Sequence, residues 1–206
     1  MKDFLNKYRD WIICIGFMII YLSSFCLLEA WGSRNYIVTD MWIDQYIPFN
    51  EYFVIPYMLW FVFILSGFLY FLLIDKEGFN RTAFYLFVGM ITCIILFFIF
   101  PTEQCLRVEI KNENIFQSMV GFIYSVDTST NVCPSIHVYN SIMMTISLLK
   151  SKRIKENKLL CVLIGVLALS ICMSTVLLKQ HAFIDGVFAI LLCVIIYIIG
   201  KKKFGY

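Results

Sequence analysis

The feature that most constrains this chain is the length of its apolar runs. Trp11–Leu28, Tyr52–Ile74, Thr82–Phe100 and Leu159–Leu178 contain no charged residue, and Ala182–Gly200 contains only Asp185. A transmembrane helix needs roughly 20 apolar residues, with a usual range of about 17–25. In hydrocarbon every backbone N–H and C=O must be paired within the segment, so each run has to be helical. A sixth segment, Pro134–Leu149, is shorter and carries polar residues. The expected fold is therefore an all-α, polytopic membrane helix bundle with six transmembrane spans, read as one domain over residues 1–206. Composition excludes the soluble alternative. The chain is 61% hydrophobic and 15% charged, against about 45–50% and about 25% in soluble domains.

The first run follows Lys2, Lys7 and Arg9, which also fits a signal peptide. It is long for a signal-peptide core, and no small-x-small cleavage site follows, so the expectation is a retained span. Basic residues fix the orientation, because Lys and Arg accumulate in cytoplasmic loops. With the N-terminus inside, 13 of the 17 basic residues fall inside, including Lys150–Lys158 and Lys201–Lys203. Both termini are then cytoplasmic. Arg34, Arg107, Lys111 and Lys179 remain outside, where topology does not account for them.

Two outer segments are long enough to contribute to a site: Glu29–Glu51 and Pro101–Cys133. The first mixes Trp42, Tyr46 and other apolar residues with Asp40 and Asp44, a composition that predicts a short interfacial helix. Six of the eight cysteines lie within apolar runs and read as small hydrophobes. Cys105 and Cys133 both fall in the second outer segment, where a disulfide is open to them. No Cys/His spacing resembles a zinc site.

The only two histidines, His137 and His181, sit at the outer ends of predicted spans. Ionisable groups at membrane depth are costly and face a cavity or a partner. In Cys133-Pro134-Ser135-Ile136-His137, proline tolerates the first helical position, so Pro134 is expected to open the fourth span. His137 then lies in the first turn, beside free N–H groups that favour phosphate. In Lys179-Gln180-His181-Ala182-Phe183-Ile184-Asp185, His181 and Asp185 are four apart and share a helix face. The carboxylate can hold one ring nitrogen and leave the other free to attack phosphorus or carry a proton. Lys179, just before the pair, is placed to hold a phosphate oxygen. Each feature alone has an ordinary reading as a polar helix end. Both on one membrane face, with no other histidine, point to catalysis.

At these residues the sequence resembles the type 2 phosphatidic acid phosphatase superfamily. Its second motif, Pro-Ser-Gly-His, is matched by Pro134-Ser135-Ile136-His137 with Ile136 for glycine. Its third, Ser-Arg-x5-His-x3-Asp, is matched in spacing by Ser174, Thr175, His181 and Asp185, with Thr175 for arginine. The first motif, Lys-x6-Arg-Pro, is degenerate: Arg107 is the candidate arginine, Val108 replaces proline, and Phe100 stands where lysine is expected. These losses are similar to the branch containing inositol phosphorylceramide synthase and sphingomyelin synthase. The resemblance spans about Ile47 to Ile190.

It implies His181 as nucleophile, Asp185 as its orienting carboxylate, and His137 as the acid that protonates the leaving alcohol and then activates the acceptor. It further implies Arg107, Lys179 and backbone N–H groups near Ser135 as the phosphate clamp, with no metal and no cofactor. The expected partners are the bilayer and a membrane lipid phosphate, with no nucleic acid. The expected location is the plasma membrane, with the site on its outer face.

Three functions follow: a phosphatase acting on a lipid phosphomonoester or pyrophosphate, a transferase passing a phospho-headgroup to a lipid alcohol, and a non-enzymatic transporter or scaffold. The modest outer loops favour the phosphatase. Polar groups clustered at one face argue against a transporter.

Overall fold

The computed structural model describes residues 2–32, 34–111 and 113–205, with side chains from residue 8 onward. The side chains of Lys2 and Lys7, counted above among the cytoplasmic cations, lie outside the described residues. The fold is all-α. The main helices are α1 (Lys2–Ala30), α2 (Val54–Leu73), α3 (Lys76–Ile99), α4 (Ile115–Val126), α5 (Ile136–Leu149), a single turn α6 (Lys152–Lys155), α7 (Lys158–Leu177) and α8 (Phe183–Phe204). Side chains set several of the starts. Asp75 accepts from the Gly78 N–H, Asn114 from Gln117, Ser135 from Val138 and Asn157 from Leu160, each pairing an N–H that has no intrahelical partner.

Among the described residues, five helices are long and apolar enough to cross a membrane: α1, α2, α3, α7 and α8. The predicted fourth span departs from this. It is α5, with 14 residues, a length of about 21 Å against a hydrocarbon core of about 30 Å. It also starts later than expected. Ser135 is the cap, so Pro134 lies just outside the helix.

The shortness of α5 matches its position. It packs against α2, α3, α7 and α8 at the centre of the bundle, with Val138, Tyr139, Asn140, Ser141, Met143, Met144, Ser147 and Leu148 all buried. The outer helices present apolar side chains instead, among them Ile20, Val62, Leu163 and Ile195. So large an apolar exterior suits lipid, not water.

Close approach at the centre depends on glycine. Tyr139 of α5 is fully buried and its hydroxyl donates to the Tyr85 carbonyl of α3 at 2.6 Å. A Cβ on Gly89 would collide with the Tyr139 ring, and one on Gly200 with the Tyr85 ring. Gly89→Ala is expected to destabilise the bundle by about 1–3 kcal/mol, the usual cost of overpacking. A thermal melt in detergent checks this, and Gly16→Ala, at a position with open space, is the control.

The bundle end that carries both histidines is covered by the two long loops, tied together. β1 (Ile37–Val38) pairs in parallel with β2 (Thr102–Glu103), and Glu103 bridges to Thr130. The predicted interfacial helix in the first loop is only a 3-10 turn, Trp42–Gln45. The well-formed helix at this end is α4, in the second loop, docked through Val120 and Ile123 onto Val54 and Tyr57 of α2 and onto Leu178. Cys105 and Cys133 are both free thiols, so the disulfide open to them is not formed.

Candidate active site

The end of α7 positions His181. The Leu178 N–H donates to the Ser174 carbonyl, and Lys179 then turns left-handed with φ 53°. This lets the N–H groups of Gln180 and His181 both reach the Thr175 carbonyl, at 2.9 and 3.0 Å. The chain reverses into α8 with His181 held at the turn and 8% exposed. Ser174 and Thr175 serve this turn locally, their hydroxyls donating to the Ile171 and Cys172 carbonyls.

Asp185 lies in the first turn of α8 and is fully buried. Its Oδ2 accepts from the Ala182 N–H at 3.0 Å and stands 3.2 Å from His181 Nδ1. An oxygen already accepting a backbone N–H is set to accept again, which places the proton on Nδ1 and leaves Nε2 with its lone pair. The other oxygen, Oδ1, is buried without a hydrogen-bond partner. The Ser135 N–H donates to the Asp185 carbonyl at 3.1 Å, joining the start of α5 directly to the start of α8. Ser135 is thus beside the pair, but its N–H and hydroxyl are engaged in holding the two helices and capping α5.

That junction brings the histidines together. The ring centroids of His137 and His181 are 5.8 Å apart and the planes meet edge to face at 63°. His137 is packed by aromatics from α2, stacked on Tyr57 at 4.6 Å and tilted against Trp60 at 4.4 Å. Both histidines line a cavity of about 410 Å³. Its wall is mostly apolar, with Tyr21, Leu22 and Phe25 from α1, Met58 and Phe61 from α2, and Phe122 and Val126 from α4. Leu22, Phe61, Phe122 and Val126 are also exposed on the outside of the protein. The mouth therefore lies on an apolar flank, where acyl chains would be in a membrane.

The two predicted cations take other positions. The Lys179 ammonium donates to the carbonyls of Asp44 at 2.8 Å and Ile47 at 2.6 Å, pinning the first loop under the His181 turn. Burial lowers its pKa, with Asp44 opposing. Lys179 is not among the residues lining the cavity. Asp44 completes this clamp from the other side, its buried carboxylate accepting from the Phe183 and Met41 N–H groups.

Arg107 stays close to the site but is engaged. Its Nη1 donates to the Tyr124 carbonyl, and its Nη2 to the carbonyls of Asp127 and Thr128 and to Gln180 Oε1 at 2.7 Å. A cation at the C-terminal end of α4 suits the helix dipole there. The bond to Gln180 also orients that amide, so its NH₂ is the side left without a partner. Lys179→Met is expected to lower stability by about 2–3 kcal/mol by stripping one buried and one half-buried carbonyl of a charged donor. If the chain turns over a lipid phosphate, as the resemblance implies, KM should stay within about twofold. A large KM increase at unchanged melting temperature would return Lys179 to the phosphate.

Sequence reasoning missed several groups in the cavity wall. Gln180 and Trp60 each present a buried N–H without a partner. Asp127 accepts from the Tyr57 hydroxyl at 3.1 Å. Burial raises the Asp127 pKa, against lowering by His181, Tyr57 and Arg107. Gln180 had one available signal, its place directly before His181. Tyr57 and Trp60 had none, being aromatics within an apolar span.

Comparison with models of known families, with curated proteins and with solved structures yields no match.

Proposed function

We propose that this chain is a membrane enzyme that moves the phosphorus-bearing group of a membrane lipid through a covalent phosphohistidine on His181. Hydrolysis of a phosphomonoester or pyrophosphate lipid is the first reading. One observation carries it: two histidines with centroids 5.8 Å apart, one held by a buried carboxylate, in a cavity that opens on an apolar flank. Attack and departure at phosphorus need both partners within about 3 Å of the reacting atoms, and both imidazoles line the one cavity in which a phosphate would sit.

In the first step the His181 Nε2 lone pair attacks phosphorus and the bond to the lipid oxygen breaks. His137 gives that oxygen a proton. In the second step water loses a proton to His137 and attacks phosphorus, the P–N bond breaks, and phosphate leaves. Asp185 keeps the His181 tautomer and balances the charge on the ring while it is phosphorylated. Gln180 and Trp60 are the N–H donors best placed for the phosphoryl oxygens, and such donors act most strongly in a site without water.

Basic residues at the opposite end of the bundle support the reading of a cytoplasmic face there, with the histidines at the outer face of a plasma membrane. With that orientation α5, shielded by its neighbours, makes the sixth crossing.

The charge of the cavity supports a second reading. Among the described lining residues the carboxylate of Asp127 has no lysine or arginine beside it in the wall, and Arg107 is turned to carbonyls. A singly charged phosphodiester suits such a wall better than a dianionic monoester. A transferase that passes a phospho-headgroup from one lipid to a lipid alcohol would use the same two steps.

Purified protein given a panel of labelled lipid phosphates with a chelator separates the readings. Free phosphate released despite chelation supports the phosphatase, and label moving between lipids with little free phosphate supports the transferase. Absence of both, with orthovanadate failing to compete for the site, supports a non-enzymatic role.

A further inference from the structure

The end of the bundle away from the histidines carries a second cavity, of about 800 Å³. The length of α3, 24 residues at about 1.5 Å each, separates it from the reaction described above. Five cations line it: Lys76 and Arg81 from the first turns of α3, and Lys150, Lys152 and Arg153 from the link between α5 and α7. Two acids, Asp75 and Glu77, share the wall. Asp75 is already committed, its carboxylate accepting from the Gly78 N–H at 3.2 Å.

A preference for cytoplasmic lysine and arginine explains basic residues at this end. It does not require them to converge on one concavity with a fixed frame, which is what the structure has. Ser151 is buried and its hydroxyl pairs with that of Tyr70 of α2 at 2.6 Å, locking the α5–α6 link onto the end of α2. The Lys150 ammonium is held by the Tyr197 hydroxyl at 3.1 Å and lies 4.6 Å over that ring. Lys76, Lys152 and Arg153 are exposed and unburdened by packing. The edge of the cavity is apolar, formed by Leu73 and Ile74, which are 61% and 51% exposed.

We infer that this cavity binds a phosphate polyanion, with the headgroup of an anionic lipid as its source. The five cations supply the charge complement to more than one phosphate oxygen group. The exposed Leu73 and Ile74 supply the apolar edge along which an acyl chain would leave, which a free phosphate would not use. Basic pockets between membrane helices are a recurrent solution for such headgroups. The site is independent of the proposed transfer chemistry.

The test uses the full chain in neutral detergent, with binding read by native mass spectrometry and calorimetry. The probes are tetraoctanoyl cardiolipin, inorganic pyrophosphate and dioctanoyl phosphatidylcholine. Cardiolipin is expected to bind at one per chain, equally to the wild type and to His181→Asn. The triple variant Lys76→Gln/Lys152→Gln/Arg153→Gln should weaken it about 100-fold, at about tenfold per 1.4 kcal/mol and about 1 kcal/mol per cation. These three side chains are exposed, so an unchanged melting temperature is expected of the triple variant.

Pyrophosphate binding with the same loss in the triple variant assigns the site to the phosphate groups themselves. Cardiolipin binding without pyrophosphate assigns it to a lipid. Equal cardiolipin affinity in the triple variant and wild type overturns the inference, and so does phosphatidylcholine binding as tightly as cardiolipin.

Discussion

Replacing His181 with asparagine is expected to lower turnover of a lipid phosphate by about 10⁴-fold or more, the scale seen when a covalent nucleophile is lost from a site that works as a unit. Asparagine is the informative choice. Its side-chain amide can donate to Asp185 in place of Nδ1, so the buried carboxylate keeps a partner and folding is preserved. What disappears is the ring nitrogen with its lone pair. Alanine would remove both, leaving Asp185 with the Ala182 N–H alone and confusing lost chemistry with lost stability.

The direct measurement is label transfer. Wild-type protein mixed with ³²P-labelled lipid and quenched in alkali should retain label on the chain, and acid should release it, as phosphoramidates require. The asparagine variant should retain none. Turnover within tenfold of wild type, or label on the variant, would remove His181 from the nucleophile's role.

The parts of this site legible in the sequence are the parts made by local geometry. His181 and Asp185 are one helical turn apart, and any helix starting near Ala182 brings them together. Pro134-Ser135-Ile136-His137 likewise announces a helix start, and the error of two residues in where the helix begins leaves His137 in its first turn. The long apolar runs similarly fixed five helices, because chain in hydrocarbon has few alternatives to helix.

What was not legible was non-local. Lys179 was assigned to phosphate by its distance along the chain from His181. Its left-handed backbone and the carbonyls of Asp44 and Ile47, more than 130 residues away, direct its ammonium into the first loop. Arg107 was expected to clamp phosphate and instead gathers three carbonyls at the end of α4, a helix not expected at all. The first loop looked like an interfacial helix by composition, yet its backbone is drawn out to pair Ile37–Val38 with Thr102–Glu103. Loop residues choose among partners that only the assembled bundle brings near. The shortness of α5 has the same origin, since its neighbours cover it and remove the length that lipid would impose.

His137→Ala is expected to slow turnover of a lipid phosphate by about 10²–10⁴-fold, the range for loss of a positioned general acid. The size of the loss should depend on the leaving group, and this separates a proton donor from a packing residue. A lipid alcohol is a poor leaving group and needs its oxygen protonated as the phosphorus bond breaks. A 4-nitrophenyl ester leaves as a stabilised phenolate and needs little help. The first step of the variant should therefore come within about tenfold of wild type with the nitrophenyl substrate, as a burst of nitrophenolate matching one label per chain. The second step still requires a base to activate water, so phosphohistidine should accumulate above the wild-type level.

The geometry makes this reading specific. His137 is packed between Tyr57 and Trp60, so truncation to alanine also leaves a gap between aromatic rings. If packing alone were lost, both substrates would slow by the same factor and no intermediate would build up. His137→Phe, which refills the gap without a titratable nitrogen, should restore the melting temperature and leave the two-substrate difference unchanged. Recovery of lipid turnover by phenylalanine would instead assign His137 to the architecture of the cavity and leave the leaving oxygen without an acid.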